Sequence, residues 1–215
     1  MGSCCRAQPC EEIFGSGTAR YDLEQYLRNG LDQVERDMLA ALRERVALDG
    51  TRVLEIGGGI GALQAQLLSS GAASGEVIEL LDAYAPYAQE LARSVGIEGR
   101  TSFRVHDLLD SPAEVEPAHV VILNRVVCCS ADGPELAAQA ARLTDKALLL
   151  SFPRSNRFTR AMAGMQHALF RLFRRHYRLF AWPEETLIAA ARSAGLAPTA
   201  SGGGLIWRSL LFERP

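Results

Sequence analysis

Apolar positions along the chain follow two rhythms that alternate from residue 18 almost to the end. Tyr21, Leu23, Tyr26 and Leu27, then Leu31, Val34, Met38, Leu39 and Leu42, recur mostly at steps of three and four. That spacing predicts helix, and Gly30 predicts a break into two helices. The second leads through Asp49-Gly50 into a short apolar run, Arg52–Ile56, which predicts a strand. From there strand and helix take turns. A helix over Ala62–Ser69 is stopped by Gly71, and a strand over Glu76–Leu80 follows. A helix over Tyr84–Val95 is closed by Gly96 and Gly99, before a strand over Thr101–Val105. The strand His119–Leu123 is apolar throughout after its histidine, as expected of a strand covered on both faces. A helix over Pro134–Leu143 and a strand over Ala147–Phe152 complete the alternation.

Such regularity predicts an α/β fold: a mostly parallel sheet with helices on both faces and a helical extension before the first strand. The C-terminal part departs from the rhythm. Arg157 to about Phe180 reads as one helix inserted after strand five. Phe158, Met162, Met165, Leu169, Leu172, Phe173 and His176 fall on one arc of it, and Arg160, His167, Arg171, Arg174 and Arg178 on the opposite arc. Pro183 opens a further helix to Ala194, with acids in its first turn and Gly195 at its end. A strand at Ala197–Ser201, a turn at Gly202-Gly203-Gly204 and a strand at Leu205–Phe212 predict a closing hairpin. The sheet then has seven strands, the last antiparallel to its neighbours. Residues 1–17 read as a mobile start and 18–215 as a single domain, within which 157–182 form the insertion.

Composition sharpens this only locally. The 215 residues are 48% hydrophobic with 19 glycines, enough for a full core, and a net charge of −2 gives no global reason to expect nucleic acid. The average hides an asymmetry: between Lys146, the only lysine, and Arg178 there are seven arginines and no acidic residue. Cys4, Cys5, Cys10, Cys128 and Cys129 do not form a disulfide framework, and the start carries no export signal or apolar span. A reducing cytoplasm is the expected setting. Cys4-Cys5-x4-Cys10 has no second ligand group at metal-binding spacing, so no metal site is expected.

The chemistry concentrates at Val53-Leu54-Glu55-Ile56-Gly57-Gly58-Gly59-Ile60-Gly61. An apolar strand runs into a glycine-rich turn and then a helix, the opening of a nucleotide-type domain. Gly57-x-Gly59-x-x-Ala62 satisfies the dinucleotide fingerprint formally, but three features oppose NAD. Glu55 would repel a pyrophosphate and suit a ligand with an ammonium and a sulfonium. About fifty residues precede the strand, where a dinucleotide domain opens near its start. Hydride chemistry has no Tyr-x-x-x-Lys pair. Farther along, Glu79, 18 residues after Gly61, stands where a carboxylate accepts both ribose hydroxyls. Asp82, just beyond, reads better as a helix N-cap. Asp107, ending strand three after His106, is placed to accept from an adenine amino group or to be a plain loop carboxylate. Asn124, ending strand four, faces the ligand's amino-acid end or the substrate.

These motifs in succession, with His106-Asp107 and the strand His119–Asn124, resemble class I S-adenosylmethionine-dependent methyltransferases over roughly residues 18–213. Cys10-Glu-Glu-Ile-Phe14, Tyr21-Asp-Leu-x-x-Tyr26, Asn124-Arg-Val-Val-Cys-Cys129 and Ser151-Phe-Pro-Arg-Ser-Asn156 are similar to a bacterial group labelled magnesium-protoporphyrin O-methyltransferase-like. The chain departs from that group at Leu81-Asp82 and at Ser130. The resemblance implies a Rossmann-like sheet, S-adenosylmethionine as cofactor and transfer of a methyl group to a small or medium acceptor, carboxylated or aromatic, at oxygen. Glu55, Gly57, Gly59, Gly61, Glu79, Asp107 and Asn124 are the expected cofactor residues. Tyr21 and Tyr26 either close over the cofactor or pack a helix face.

A carboxylate acceptor needs no base, whereas a phenol or amine would use one, and His106, His167 and His176 are the candidates. Cys128 and Cys129 are expected to pack near the cofactor. The helix after strand five is open to three readings. It covers the substrate, with Arg154 and Arg157 holding carboxylates and Met162 and Met165 over the acceptor; it lies on a membrane surface; or it packs on the sheet with a solvated basic face. Two other functions stay open beside methyl transfer, a non-catalytic S-adenosylmethionine binder and an NAD-dependent oxidoreductase. The oligomeric state is not legible.

Overall fold

The computed structural model describes residues 10–215. Seven strands form one sheet: β1 (Arg52–Ile56), β2 (Ser74–Glu79), β3 (Thr101–Val105), β4 (Ala118–Asn124), β5 (Thr144–Pro153), β6 (Ala197–Gly203) and β7 (Trp207–Glu213). Their order is β3-β2-β1-β4-β5-β7-β6, and only β7 runs against its neighbours. This is the seven-stranded, mostly parallel α/β sheet that the alternation predicts.

Side-chain alternation explains the two layers around it. Val53, Val120, Ile122, Leu149 and Leu211 face one side, where they meet helices α1 (Ser16–Asn29), α2 (Gln33–Arg43), α3 (Ala62–Ser69) and α4 (Ala85–Ser94). Leu54, Val121, Leu148, Leu150 and Phe212, one residue out of step, face the other side. There they bury α5 (Gly133–Arg142) and α7 (Glu184–Ser193). The crossovers change face between β1 and β4, so the helices splay apart at the carboxyl ends of those strands and leave a crevice.

The N-terminal helices are fixed to that crevice rather than merely packed on the sheet. Asp32 caps α2 by accepting from the Glu35 N–H at 3.0 Å, and Glu35 accepts from the Asp32 N–H at 2.9 Å. The other Glu35 oxygen accepts from Asn124 Nδ2 at 2.9 Å, across the sheet edge. Of the segment read as a mobile start, residues 1–9, with Cys4 and Cys5, lie outside the described residues. Cys10 is buried, and Phe14 meets the Tyr177 ring edge-on at 5.6 Å.

The insertion differs most from expectation. The helix α6 (Arg157–Leu172) starts on an Asn156–Thr159 capping box, as its sequence favours, but stops well short of Phe180. Arg174 takes a left-handed φ of 56°, where glycine is usual, and turns the chain. The turn is held from outside the helix. Glu12 accepts from the His176 N–H at 2.7 Å and meets His176 Nδ1 at 2.9 Å, while Tyr177 is buried. A helix continued to Phe180 would forfeit these contacts. The closing turn also moves: β6 runs through Gly203, and Gly204, Leu205 and Ile206 form the tip.

Candidate functional site

A cleft of about 880 Å³ occupies the crevice at the carboxyl ends of β1, β2 and β4. The glycine turn forms its floor because little else fits there. Gly57 has φ 62°, and a Cβ on it would lie 2.3 Å from Val126. A Cβ on Gly58 would lie 2.7 Å from the Glu55 side chain. The turn therefore rests directly on its neighbours, and its backbone becomes the cleft surface.

Four carboxylates converge on this wall. Glu55 points from β1 beneath the turn, is 2% exposed, and accepts from the Gln64 N–H at 2.9 Å at the start of α3. Burial, opposed by backbone N–H donors and reinforced by Glu35 and Glu79, pushes its pKa up to about 8. Glu79 ends β2 and accepts from the Gly59 N–H at 3.1 Å and the Leu80 N–H at 2.8 Å. Burial raises its pKa also, against those donors. Glu35 approaches from α2. Asp22 belongs to the same side of the cleft, accepts from Tyr84 Oη at 3.2 Å, and is raised by burial. Desolvated acids at this density favour a cationic group among them.

Most residues expected at the cofactor are here. Glu55, Gly57, Gly59, Glu79, Asp107, Asn124 and Tyr26 line the cleft. Gly61, with φ 75°, instead opens α3, where a Cβ would lie 2.8 Å from Val77. Asp107 accepts from the Leu109 N–H at 2.9 Å, and Asn124 Oδ1 accepts from Ser151 Oγ. Asp82 is exposed and outside the lining, and starts a short 3-10 turn without the N-cap bond expected of it. Tyr21 is a correction. It sits on the outer face of α1, exposed, because Leu23 and Ala19 take the inward positions.

The four substrate residues are corrected together. Arg154, Arg157, Met162 and Met165 do not line the cleft. Arg154 Nε donates to the Gly204 carbonyl at 2.8 Å, and Arg157 is exposed at the start of α6. Met165 is exposed on the face of α6 turned away from the body. That helix lays Thr159, Ala163, Gln166 and Phe170 inward, so the strongly apolar arc beside them points out.

What covers the cleft is the return after α6. His176, Tyr177, Arg178 and Phe180 line it, and the Phe180 N–H donates to the Cys128 carbonyl at 2.8 Å. Among the histidines, His106 lines the inner wall, with Nε2 3.0 Å from the Ser111 carbonyl. His176 reaches only the exposed rim, and His167 is absent from the lining.

Sequence reasoning missed Glu35, Asp22, Tyr84 and Arg125. Arg125 lies in the cleft with φ 59°, its N–H bonded to Ser151. Its guanidinium pairs with Asp32 and lies 4.7 Å from the Trp207 ring centroid, while its buried Nε has no partner. The signal for Arg125 was its place directly after Asn124. Glu35 was hidden because a capping box explains it locally. Cys128 is buried with its thiol donating to the Arg125 carbonyl, and the Cys129 thiol reaches the cleft 3.1 Å from Tyr177 Oη. Among the described residues no three His, Cys, Asp or Glu side chains converge as metal ligands.

No family model and no curated protein matches the chain. Solved structures do. Magnesium protoporphyrin IX methyltransferase from Synechocystis PCC 6803, with bound S-adenosylhomocysteine, aligns at TM-score 0.70 and 20% identity over 85% of this chain and 83% of that one. An O-methyltransferase family protein from Burkholderia thailandensis aligns at 0.69 and 22%, over 92% of this chain and 59% of that one. The cyclase SpnF aligns at 0.66 and 13%, over 84% and 77%. The fold is thus the one found in S-adenosylmethionine-dependent methyltransferases.

Proposed function

We propose that the protein is an S-adenosylmethionine-dependent methyltransferase that methylates an oxygen of a small or medium acceptor, carboxylated or aromatic. The observation that carries this reading is the group of acids raised by burial, Asp22, Glu55 and Glu79, around a glycine turn at one cleft, with Glu35 beside them. Such a wall repels a pyrophosphate and favours a ligand that is cationic at one end. Bound there, S-adenosylmethionine would supply an electrophilic methyl group on a positively charged sulfur.

The chain's own residues divide the remaining work. Glu79 would accept from the ribose hydroxyls and Asp107 from the adenine amino group. Asn124, held by Glu35 and Ser151, and the carboxylate of Glu55 would face the amino-acid end. Tyr26 and Tyr84 wall the same side. For the acceptor, Arg36, Arg125 and Arg178 offer cations at the cleft, and Tyr177 and Phe180 offer ring faces. These take the place of the residues on α6. A carboxylate acceptor would attack without a base, so positioning and exclusion of water would supply most of the rate. For a phenol, His106 would be the base on the inner wall; with Nε2 donating to Ser111, Nδ1, 3.9 Å from the Glu114 carboxylate, is the nitrogen left to accept.

Parallel calorimetry with S-adenosylhomocysteine and NAD tests the reading. Binding of the first without the second is expected; the reverse would sink it. Transfer of a labelled methyl group to protoporphyrins and aromatic carboxylic acids then separates an enzyme from a binder that never turns over.

A further inference from the structure

We infer that α6 and the β6–β7 tip form a docking surface for an anionic lipid bilayer. The helix has three faces, each about a third of a turn wide. Thr159, Ala163, Gln166 and Phe170 face the body. Phe158, Met165, Leu169 and Leu172 project outward, at 66%, 70%, 51% and 76% exposure, and Phe173 continues their row. Arg157, Arg160 and Arg171 occupy the third face, all exposed.

A second element extends the apolar row. Leu205 is 91% exposed at the β6–β7 tip, beside Ile206. The tip is latched to the approach to α6, since the Arg154 N–H donates to the Ile206 carbonyl at 2.7 Å and Arg154 Nε to the Gly204 carbonyl. Because β6 runs in the direction of β5, tip and helix stand at the same carboxyl edge of the sheet as the cleft.

The charge around this row selects the occupant. Arg157, Arg160, Arg171 and Arg174 are exposed in a stretch where no acidic residue occurs from Ala147 to Pro183. A second copy docking face to face would set these arginines against themselves. The apolar side chains stand on the outer side of a helix and on a loop tip, so they suit a deformable surface better than a rigid one. A bilayer takes bulky apolar side chains below its headgroups and anionic headgroups beside the arginines. Among the described residues no helix is long and apolar enough to cross a membrane, so the contact is peripheral.

Cosedimentation of the full chain tests this, using vesicles of phosphatidylcholine alone or mixed with phosphatidylglycerol. Binding to the mixed vesicles only, weakened by salt, is expected. Leu169→Ser with Leu172→Ser, and separately Arg160→Glu with Arg171→Glu, should each reduce it by about tenfold or more. All four side chains are exposed, and unchanged thermal melting checks that the variants fold. Arg28→Glu, exposed on α1, should leave binding unaltered. No binding to mixed vesicles, or binding indifferent to the leucine pair, overturns the inference. So does a concentration-dependent dimer that the leucine pair abolishes in protein that ignores vesicles.

Discussion

The cleft wall and the outer face of α6 stand at one edge of the same sheet and are opposite in nearly every respect. The wall gathers acids out of water, each carboxylate held by backbone or side-chain donors. The helix face spreads arginines and large apolar side chains into water with few partners. Both break the ordinary pattern of apolar inside and charged outside, in opposite directions. The contrast teaches that charge placement against burial marks chemistry more sharply than charge alone. Desolvated acids concentrate attraction for one small cation. Solvated arginines beside bare apolar groups spread attraction over an extended surface.

The contrast can be broken at the wall, beginning with its floor. Gly57→Ala forces a Cβ into Val126 at a left-handed φ and should weaken S-adenosylhomocysteine binding by about two orders of magnitude in calorimetry. Next is the carboxylate ending β2. Glu79→Ala should cost about tenfold or more in affinity, the scale of lost charged hydrogen bonds, and Asp82→Ala less than about twofold. Equal losses would undo the assignment of Glu79 to the ribose.

Smaller effects concern stability. Glu35→Ala removes a capping box and the tie to Asn124, and should lower the melting temperature by about 2–4 °C, as expected for a loss near 1 kcal/mol. Stability also carries a pH effect at Glu55. Its folded pKa, about 8, lies above the ordinary 4.5, so the folded state holds the proton more tightly. The contribution of Glu55 is full below about pH 4.5 and is lost as pH rises through 8. Glu55→Gln should therefore flatten that decline in melting curves taken from pH 5 to pH 9. A decline unchanged in the variant would assign it to other groups.

Much of this was legible in the residues. Strand alternation in Val53–Ile56 and Val120–Leu123 fixed both core layers, because period-two burial leaves little freedom. Gly57, Gly59, Glu79 and Asn124 were legible because strand ends at a switch point must meet there. The arc of α6 is legible as a pattern, but whether it faces substrate, membrane or sheet is not. Periodicity gives a stripe's existence and says nothing of what lies opposite. The helix end at Arg174 was invisible because its cause, Glu12, sits 162 positions earlier in the chain. Arg125 and Glu35 were hidden by pairings across the fold.

The place of β7 has a consequence for synthesis. It pairs with β5 from Ala147↔Glu213 to Pro153↔Trp207, and Leu210, Leu211 and Phe212 complete both core layers. A nascent chain emerging from the ribosome presents β5 with one raw edge until residues 207–213 follow. Translation must run some sixty residues past β5, through α6 and α7, before that edge is capped. The sheet is thus sealed by its latest-made strand, and the apolar edge of β5 is the surface most in need of a chaperone's shelter in the interval.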